Sequence, residues 1–285
     1  MTAIIHPSTK LGPVSLRISN LAQSVRFYTE VVGLKMLRQH GRVAELTADG
    51  KQPLLIIEEI QDLVRPQTRT AGLYHFAILV PNRESLGLAL ANLIAHNIPV
   101  GQGDHLVSEA LYINDPDGNG IEIYADRPRD TWKRDAKGEY VMTTDPVDVE
   151  GLLALSKEDK EWYGLPEETV IGHVHFHVSN LHDARVFYCD VLGFELTAHY
   201  GGAALFISAG GYHHHIGLNV WAGLGVPNTP RSAAGMEDYT IELPSQEELE
   251  TVTGRIREAG LRLEQRDGVW AVQDPSDIWI RLVVA

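Results

Sequence analysis

Short runs of alternating apolar and polar residues, separated by turn residues and by stretches with apolar positions three to four apart, recur along the whole chain. VSLRISNLAQSVRFYTEVVGLKML, from Val14, aligns with VHFHVSNLHDARVFYCDVLGFELT, from Val174. Val, Ser-Asn-Leu, Phe-Tyr, Val and Gly keep register at an offset of 160 residues. Each copy reads as a strand, a turn at Ser-Asn-Leu and a short helix that turns Phe27-Tyr28 or Phe187-Tyr188 inward and closes at Gly33 or Gly193. Two further units follow the same plan. GLYHFAILVP, from Gly72, is a strand, ESLGLALANLIAHN a helix, EALYIND a strand, DPDGNG a turn and IEIYA a strand. DYTIELP, QEELETVTGRIREAG and GVWAVQDPSDIWIRLVV repeat that order. The pattern predicts an α+β protein of four βαβββ modules, at about 11–60, 70–127, 171–222 and 234–285, forming two cup-shaped sheets. In sequence, 1–127 holds the first pair of modules and 171–285 the second. Residues 128–170 are a charged, poorly periodic linker with one helix expected at VEGLLAL. A lone module would expose one face of its sheet, so the modules must pair.

Composition narrows the function. The 285 residues carry 24 Lys and Arg against 38 Asp and Glu, a net charge of −14, which opposes a phosphate backbone and excludes nucleic acid as the expected partner. The single cysteine, Cys189, cannot form an internal disulfide or a thiolate zinc cluster. The start MTAIIHPSTK lacks the order of a signal peptide, and no run approaches the ~20 apolar residues of a membrane span. A cytoplasmic protein without a membrane partner is expected.

Of the thirteen histidines, His6, His40, His96, His182 and His199 stand on predicted loops or helix surfaces and read as solvated polar residues. The others fall differently. His75 interrupts the apolar strand LYHFAILV, and Glu122 is flanked by apolar residues in GIEIYA. A carboxylate removed from water needs a partner, and no Lys or Arg occupies a neighbouring core position in that module. In GHVHFHVSN the two-residue period of a strand puts His173, His175 and His177 on one face. In GYHHHIGLN the same period would point His214 away from His213 and His215. So much imidazole near a carboxylate is expected where a metal is held.

Gly103, His105, Leu111-Tyr112, Asp115-Pro116, Gly118 and Glu122 match the signature of the extradiol ring-cleavage dioxygenases at eight positions across twenty residues. FISAGGYHHHIGLN is similar to the segment around that family's acid/base histidine. The four-module layout resembles the vicinal oxygen chelate (glyoxalase-like) superfamily, and GLYHFAILVP and YADRP resemble stretches of the bacillus-type catechol 2,3-dioxygenases.

The resemblance implies an Fe(II) enzyme, with Mn(II) accepting the same ligands, that opens catechol-type diols with O₂ to a semialdehyde. It implies His75, Glu122 and His173 as metal ligands, His214 as acid/base, and His105 and Tyr112 beside the substrate. Tyr112 could otherwise be a core aromatic, and His175, His177, His213 and His215 surface or supporting residues. A glyoxalase-type isomerase of the same fold is the alternative function, although such enzymes usually present a Gln or a second Glu as ligand. A drug-sequestering binding module would lack the triad. Modules one and four offer only Pro13, Asp238 and Arg281 at the ligand places. The triad therefore requires module two to pair with three, leaving one and four as a metal-free cup where Asp238 could pair with Arg281 and homo-oligomer contacts could form.

Overall fold

A computed structural model describes residues 4–65, 68–156 and 162–285. Module one comprises β1 (Lys10–Ile18), α1 (Leu21–Arg26), β2 (Lys35–His40), β3 (Val43–Thr47) and β4 (Leu55–Glu59). Module two comprises β5 (Gly72–Leu79), α2 (Arg83–Ala95), β6 (Gly101–Asp104), β7 (Ser108–Asn114) and β8 (Gly120–Asp126). The linker carries α3 (Val149–Leu155), the helix expected at VEGLLAL. Module three comprises β9 (Val170–His177), α4 (Leu181–Arg185), β10 (Glu195–Tyr200), β11 (Ala204–Ser208) and β12 (Ile216–Asn219). Module four comprises β13 (Gly235–Leu243), α5 (Gln246–Glu258), β14 (Leu263–Arg266), β15 (Val269–Gln273) and β16 (Trp279–Val284).

The repeated Ser-Asn-Leu has a local cause. Asn20 and Asn180 are N-caps: the Asn20 side chain accepts from Gln23 N, and Asn180 from the amides of His182 and Asp183. Beyond each cap the short α-helix widens into a π-helical turn, Phe27–Val32 and Val186–Val191, which no apolar period reveals. Gly33, at φ 93°, closes the first through its N–H to Tyr28 O. The turns drive Tyr28 and Tyr188 fully inward, where Tyr28 Oη donates to Asp115 Oδ2 at 2.9 Å and Tyr188 Oη to Asp274 Oδ2 at 3.1 Å.

Two eight-stranded sheets result, ordered β14-β15-β16-β13-β1-β4-β3-β2 and β10-β11-β12-β9-β5-β8-β7-β6. Module one thus pairs with four through antiparallel β1 and β13, and module two with three through antiparallel β5 and β9. The sheets cross the order of the chain, which is the pairing expected if His75, Glu122 and His173 share one site. Alternation then sorts side chains by face. Phe76 and Ile78 of β5, Ile121 and Ile123 of β8, and Val174 and Phe176 of β9 join the continuous core with Val14, Leu16 and Tyr239 of the other sheet. Each such side chain, fully buried, contributes on the order of 1.5–3 kcal/mol. His75, Glu122 and His173 project from the same strands to the opposite, concave face.

In the second cup β1 shifts register between Leu11 and Val14, at Gly12-Pro13. There Ser15 Oγ donates to Asp238 Oδ1 at 2.7 Å, and Arg281 Nη1 lies 3.5 Å from Asp238 Oδ2. The ion pair expected between Asp238 and Arg281 is present. No helix among the described residues is long and apolar enough to cross a membrane.

Candidate metal centre

His75 and His173 lie on the two antiparallel strands at the middle of their sheet, with His75 opposite His175 and Ala77 opposite His173. β8 runs parallel to β5 on its other side and sets Glu122 beside Ala77. His75 Nε2 and His173 Nε2 each lie 3.0 Å from Glu122 Oε2, and the three side chains are 7%, 2% and 3% exposed in the order His75, His173, Glu122. Among the described residues this is the one group of three potential ligands gathered within 4.8 Å. Octahedral bonds of about 2.1 Å place adjacent donor atoms about 3.0 Å apart, which is the spacing found on both sides of the carboxylate. His75 Nε2 is buried and makes no hydrogen bond, so it is a donor atom awaiting an electrophile. The donor set fits, and implies, a metal cofactor.

Protonation favours the same reading. Burial holds His75 below the usual imidazole range and so keeps it neutral. For Glu122 burial pushes the carboxyl up, but the two imidazoles 3.0 Å from Oε2 outweigh it and hold the group well below the usual carboxylate range. A neutral imidazole at His75 and an ionised carboxylate at Glu122 are forms a metal binds.

Tyr112 pairs in register with Glu122 across β7 and β8. His105 Nδ1 lies 2.6 Å from Thr143 O and can only donate to it, so Nε2 accepts from Tyr112 Oη at 2.7 Å. Burial first, then the Glu122 charge, lifts the Tyr112 phenol well above its usual range, so it keeps its proton. His214 packs against His173, with ring centroids 4.2 Å apart and planes tilted by 48°, and lines the same cavity of about 550 Å³. Burial, then the neighbouring imidazoles of His173 and His213, hold His214 well below the usual range. The cavity wall is completed by Tyr74, Phe206 and Trp221 and by Met142, Thr143 and Thr144 of the linker. A larger cleft of about 1020 Å³ between the two sheets shares Tyr74 and Trp221 with it.

The remaining histidines divide. His175 is 4% exposed and accepts at Nε2 from Asn219 Nδ2 at 3.0 Å, while His177 Nδ1 donates to Asn219 Oδ1 at 2.6 Å. Gly217 makes room for His175: a Cβ there would stand 2.7 Å from the imidazole carbon. His215 turns away against Tyr212 and accepts from Ala209 N. The expectation that His214 points away from both neighbours needs correction. β12 begins only at Ile216, so strand alternation does not reach residues 213–215. His213 Nδ1 instead lies 2.8 Å from His214 Nδ1, and His213 Nε2 lies 2.9 Å from Asp126 Oδ1. Asp126, four residues beyond Glu122 at the end of β8, carries no mark in the sequence apart from that spacing.

The family profile described as the Glyoxalase/Bleomycin resistance protein/Dioxygenase superfamily matches residues 10–123 and 170–282. The chain belongs to that superfamily. Over 283 residues, 98% of this chain and 99% of the relative, it is 53% identical to the catechol-2,3-dioxygenase of Bacillus subtilis (strain 168). The superfamily fold is also that of glyoxalase I from Zea mays, at TM-score 0.58 and 15% identity over 96% of this chain and 92% of that one. The cppA protein of Streptococcus pneumoniae TIGR4 shares it at TM-score 0.58 and 13% identity over 99% of both chains.

Proposed function

We propose that this superfamily member is an extradiol dioxygenase that opens catechol-type diols with O₂ to a ring-opened semialdehyde, using non-haem Fe(II) held by His75, Glu122 and His173. The observation that carries the reading is the conjunction, in one cavity, of a two-histidine, one-carboxylate set with Tyr112 and His214. The near full-length identity to a catechol-2,3-dioxygenase supports it. When bound, the Fe(II) supplies a Lewis-acidic, redox-active centre at which a diol and O₂ meet.

The protein's own groups do the rest. His214, buried and neutral, accepts a hydroxyl proton from the diol and returns it to an oxygen of the product as a general acid/base. Tyr112 spends its proton on His105, which leaves its oxygen lone pairs facing the cavity as acceptors for the second hydroxyl. Tyr74, Phe206 and Trp221 present aromatic walls to the substrate ring. The net charge of −1 on the ligand set leaves a bound divalent ion about +1, which favours a diol that has lost one proton.

The test is to load the protein with Fe(II) under anaerobic conditions, add catechol, admit air and follow O₂ uptake with the yellow absorbance of a semialdehyde. Stoichiometric O₂ consumption with colour supports the reading. Fe(II)-loaded protein that yields neither, with catechol or with alkyl-substituted catechols, overturns it.

A further inference from the structure

Behind His214 runs a chain of polar contacts that the signature does not include. Asp126 Oδ1 stands 2.9 Å from His213 Nε2, and His213 Nδ1 stands 2.8 Å from His214 Nδ1. An ionised carboxylate only accepts, so the Nε2 proton of His213 points at Asp126. His213 is fully buried, packed against Tyr212 at 4.1 Å and Trp132 at 5.1 Å, and the hydrogen bond made by one ring nitrogen sets the role of the other. A neutral ring with its proton on Nε2 has a bare Nδ1. The one proton in the N···N contact then belongs to His214.

We propose that Asp126 and His213 are positioning residues that hold His214 as its Nδ1–H tautomer, so that its unprotonated Nε2 is the nitrogen offered to the substrate cavity. The inference rests on the proposed function in one respect, that His214 is the group which takes the substrate proton. Without such a relay the two neutral tautomers would interchange, and the Nε2–H form cannot act as a base.

Other contacts fix the relay at both ends. Asp126 also accepts from Tyr212 Oη at 3.2 Å, and that hydroxyl meets Tyr124 Oη at 2.7 Å. The backbone carbonyl of His213 accepts from Thr197 Oγ1 at 2.6 Å, which holds an irregular segment in place just before β12. Because Asp126 ends the strand that carries Glu122, the strand that supplies a ligand also anchors the far end of the relay. Asymmetry within the chain agrees with this. The metal-free cup lacks the histidine run altogether, so the relay accompanies the metal ligands and is not needed by the fold.

The test uses full-length protein labelled with ¹⁵N-histidine and loaded with diamagnetic Zn(II), in which long-range ¹H–¹⁵N spectra report which ring nitrogen carries the proton. His214→Phe identifies the His214 signals by their absence. The expected wild-type result is a protonated Nδ1 and a bare Nε2 on His214. In His213→Leu and Asp126→Leu the bias is lost. With Fe(II) these variants lose roughly tenfold to 10³ in kcat, with KM and metal content unchanged, a loss within the range of acid/base contributions. In His213→Asn the amide oxygen replaces the Nδ1 lone pair, and both tautomer and kcat recover. A wild-type His214 protonated on Nε2, or an unchanged tautomer in His213→Leu, overturns the inference whatever the turnover. Full turnover in His214→Phe overturns instead the reading beneath it.

Discussion

Asp274 gives a quantitative test of how the two halves of the molecule are joined. The carboxylate is 4% exposed, takes the amides of Ser276 and Ile278 on Oδ1 at 2.8 and 2.9 Å, and takes Tyr188 Oη on Oδ2 at 3.1 Å. Burial outweighs those three bonds and pushes the group from 3.8 up to about 6. A carboxyl with a raised folded-state pKa binds protons more tightly in the native than in the unfolded chain. Its contribution therefore favours the fold below about pH 4 and is lost as pH rises through about 6. The difference of about two pH units corresponds to roughly 3 kcal/mol, or about 5 °C in Tm for a chain of this length. Asn at this position preserves every contact, since Oδ1 accepts both amides and Nδ2 donates to the Tyr188 oxygen. Urea unfolding of metal-free wild type and Asp274→Asn between pH 4 and 7.5 should give stability curves that diverge by about that amount, the variant gaining relative to wild type as pH rises. Other titrating groups, including Asp115, are common to both proteins and cancel in the difference. Parallel curves would refute the assignment.

Further outcomes follow from the site and from the paired joints. His75→Ala and Glu122→Ala should lose metal by elemental analysis after Fe(II) reconstitution and desalting, while His214→Phe retains about one ion per chain and loses roughly 10² or more in turnover. Metal loss in His214→Phe would make that residue a ligand and refute the assignment. Tyr28→Phe removes one buried hydrogen bond to the Asp115 carboxylate and should cost about 1.5–3 kcal/mol in urea unfolding without altering metal content. An unchanged midpoint and slope would contradict it.

How much of this was legible in the residue string depended on range. The four modules could be read because each strand and helix carries its own period, and because the repeat from Val14 to Val174 keeps register. The pairing of modules followed from the ligands alone, since only modules two and three together complete the set. The polar residues His75 and Glu122 stood out from their apolar strands, but the choice of His173 over His175 and His177 came from the resemblance to the extradiol dioxygenases. The π-helical turns were not legible, because widening a helix by one residue leaves composition and spacing almost unchanged. The link from Asp126 to His213 was not legible either. It joins the end of one strand to an irregular segment 87 residues away, and strand alternation misdirected His214 at the one place where the strand had not yet begun.

The cup that lacks the histidine–carboxylate set separates what the signature owes to folding from what it owes to chemistry. Asp115 and Asp274 occupy equivalent turns, each taking two amides on Oδ1 and a buried tyrosine on Oδ2. Even the left-handed residue of the turn recurs, as Gly118 at φ 89° in one cup and Asp277 at φ 60° in the other, both residue types that tolerate that conformation. The Asp-Pro element is thus present where no metal ligand is, and its work is to dock a Tyr-bearing helical turn of one sheet against a strand turn of the other. Glu122 and Arg281 stand seven residues beyond those aspartates, at the same place in β8 and β16, yet one faces two histidines and the other two aspartates, Asp238 and Asp267. A turn shared by both cups cannot be what distinguishes one of them as the candidate metal centre. The distinction lies in His75, Glu122 and His173, whose places the other cup fills with Asp238, Arg281 and Pro13.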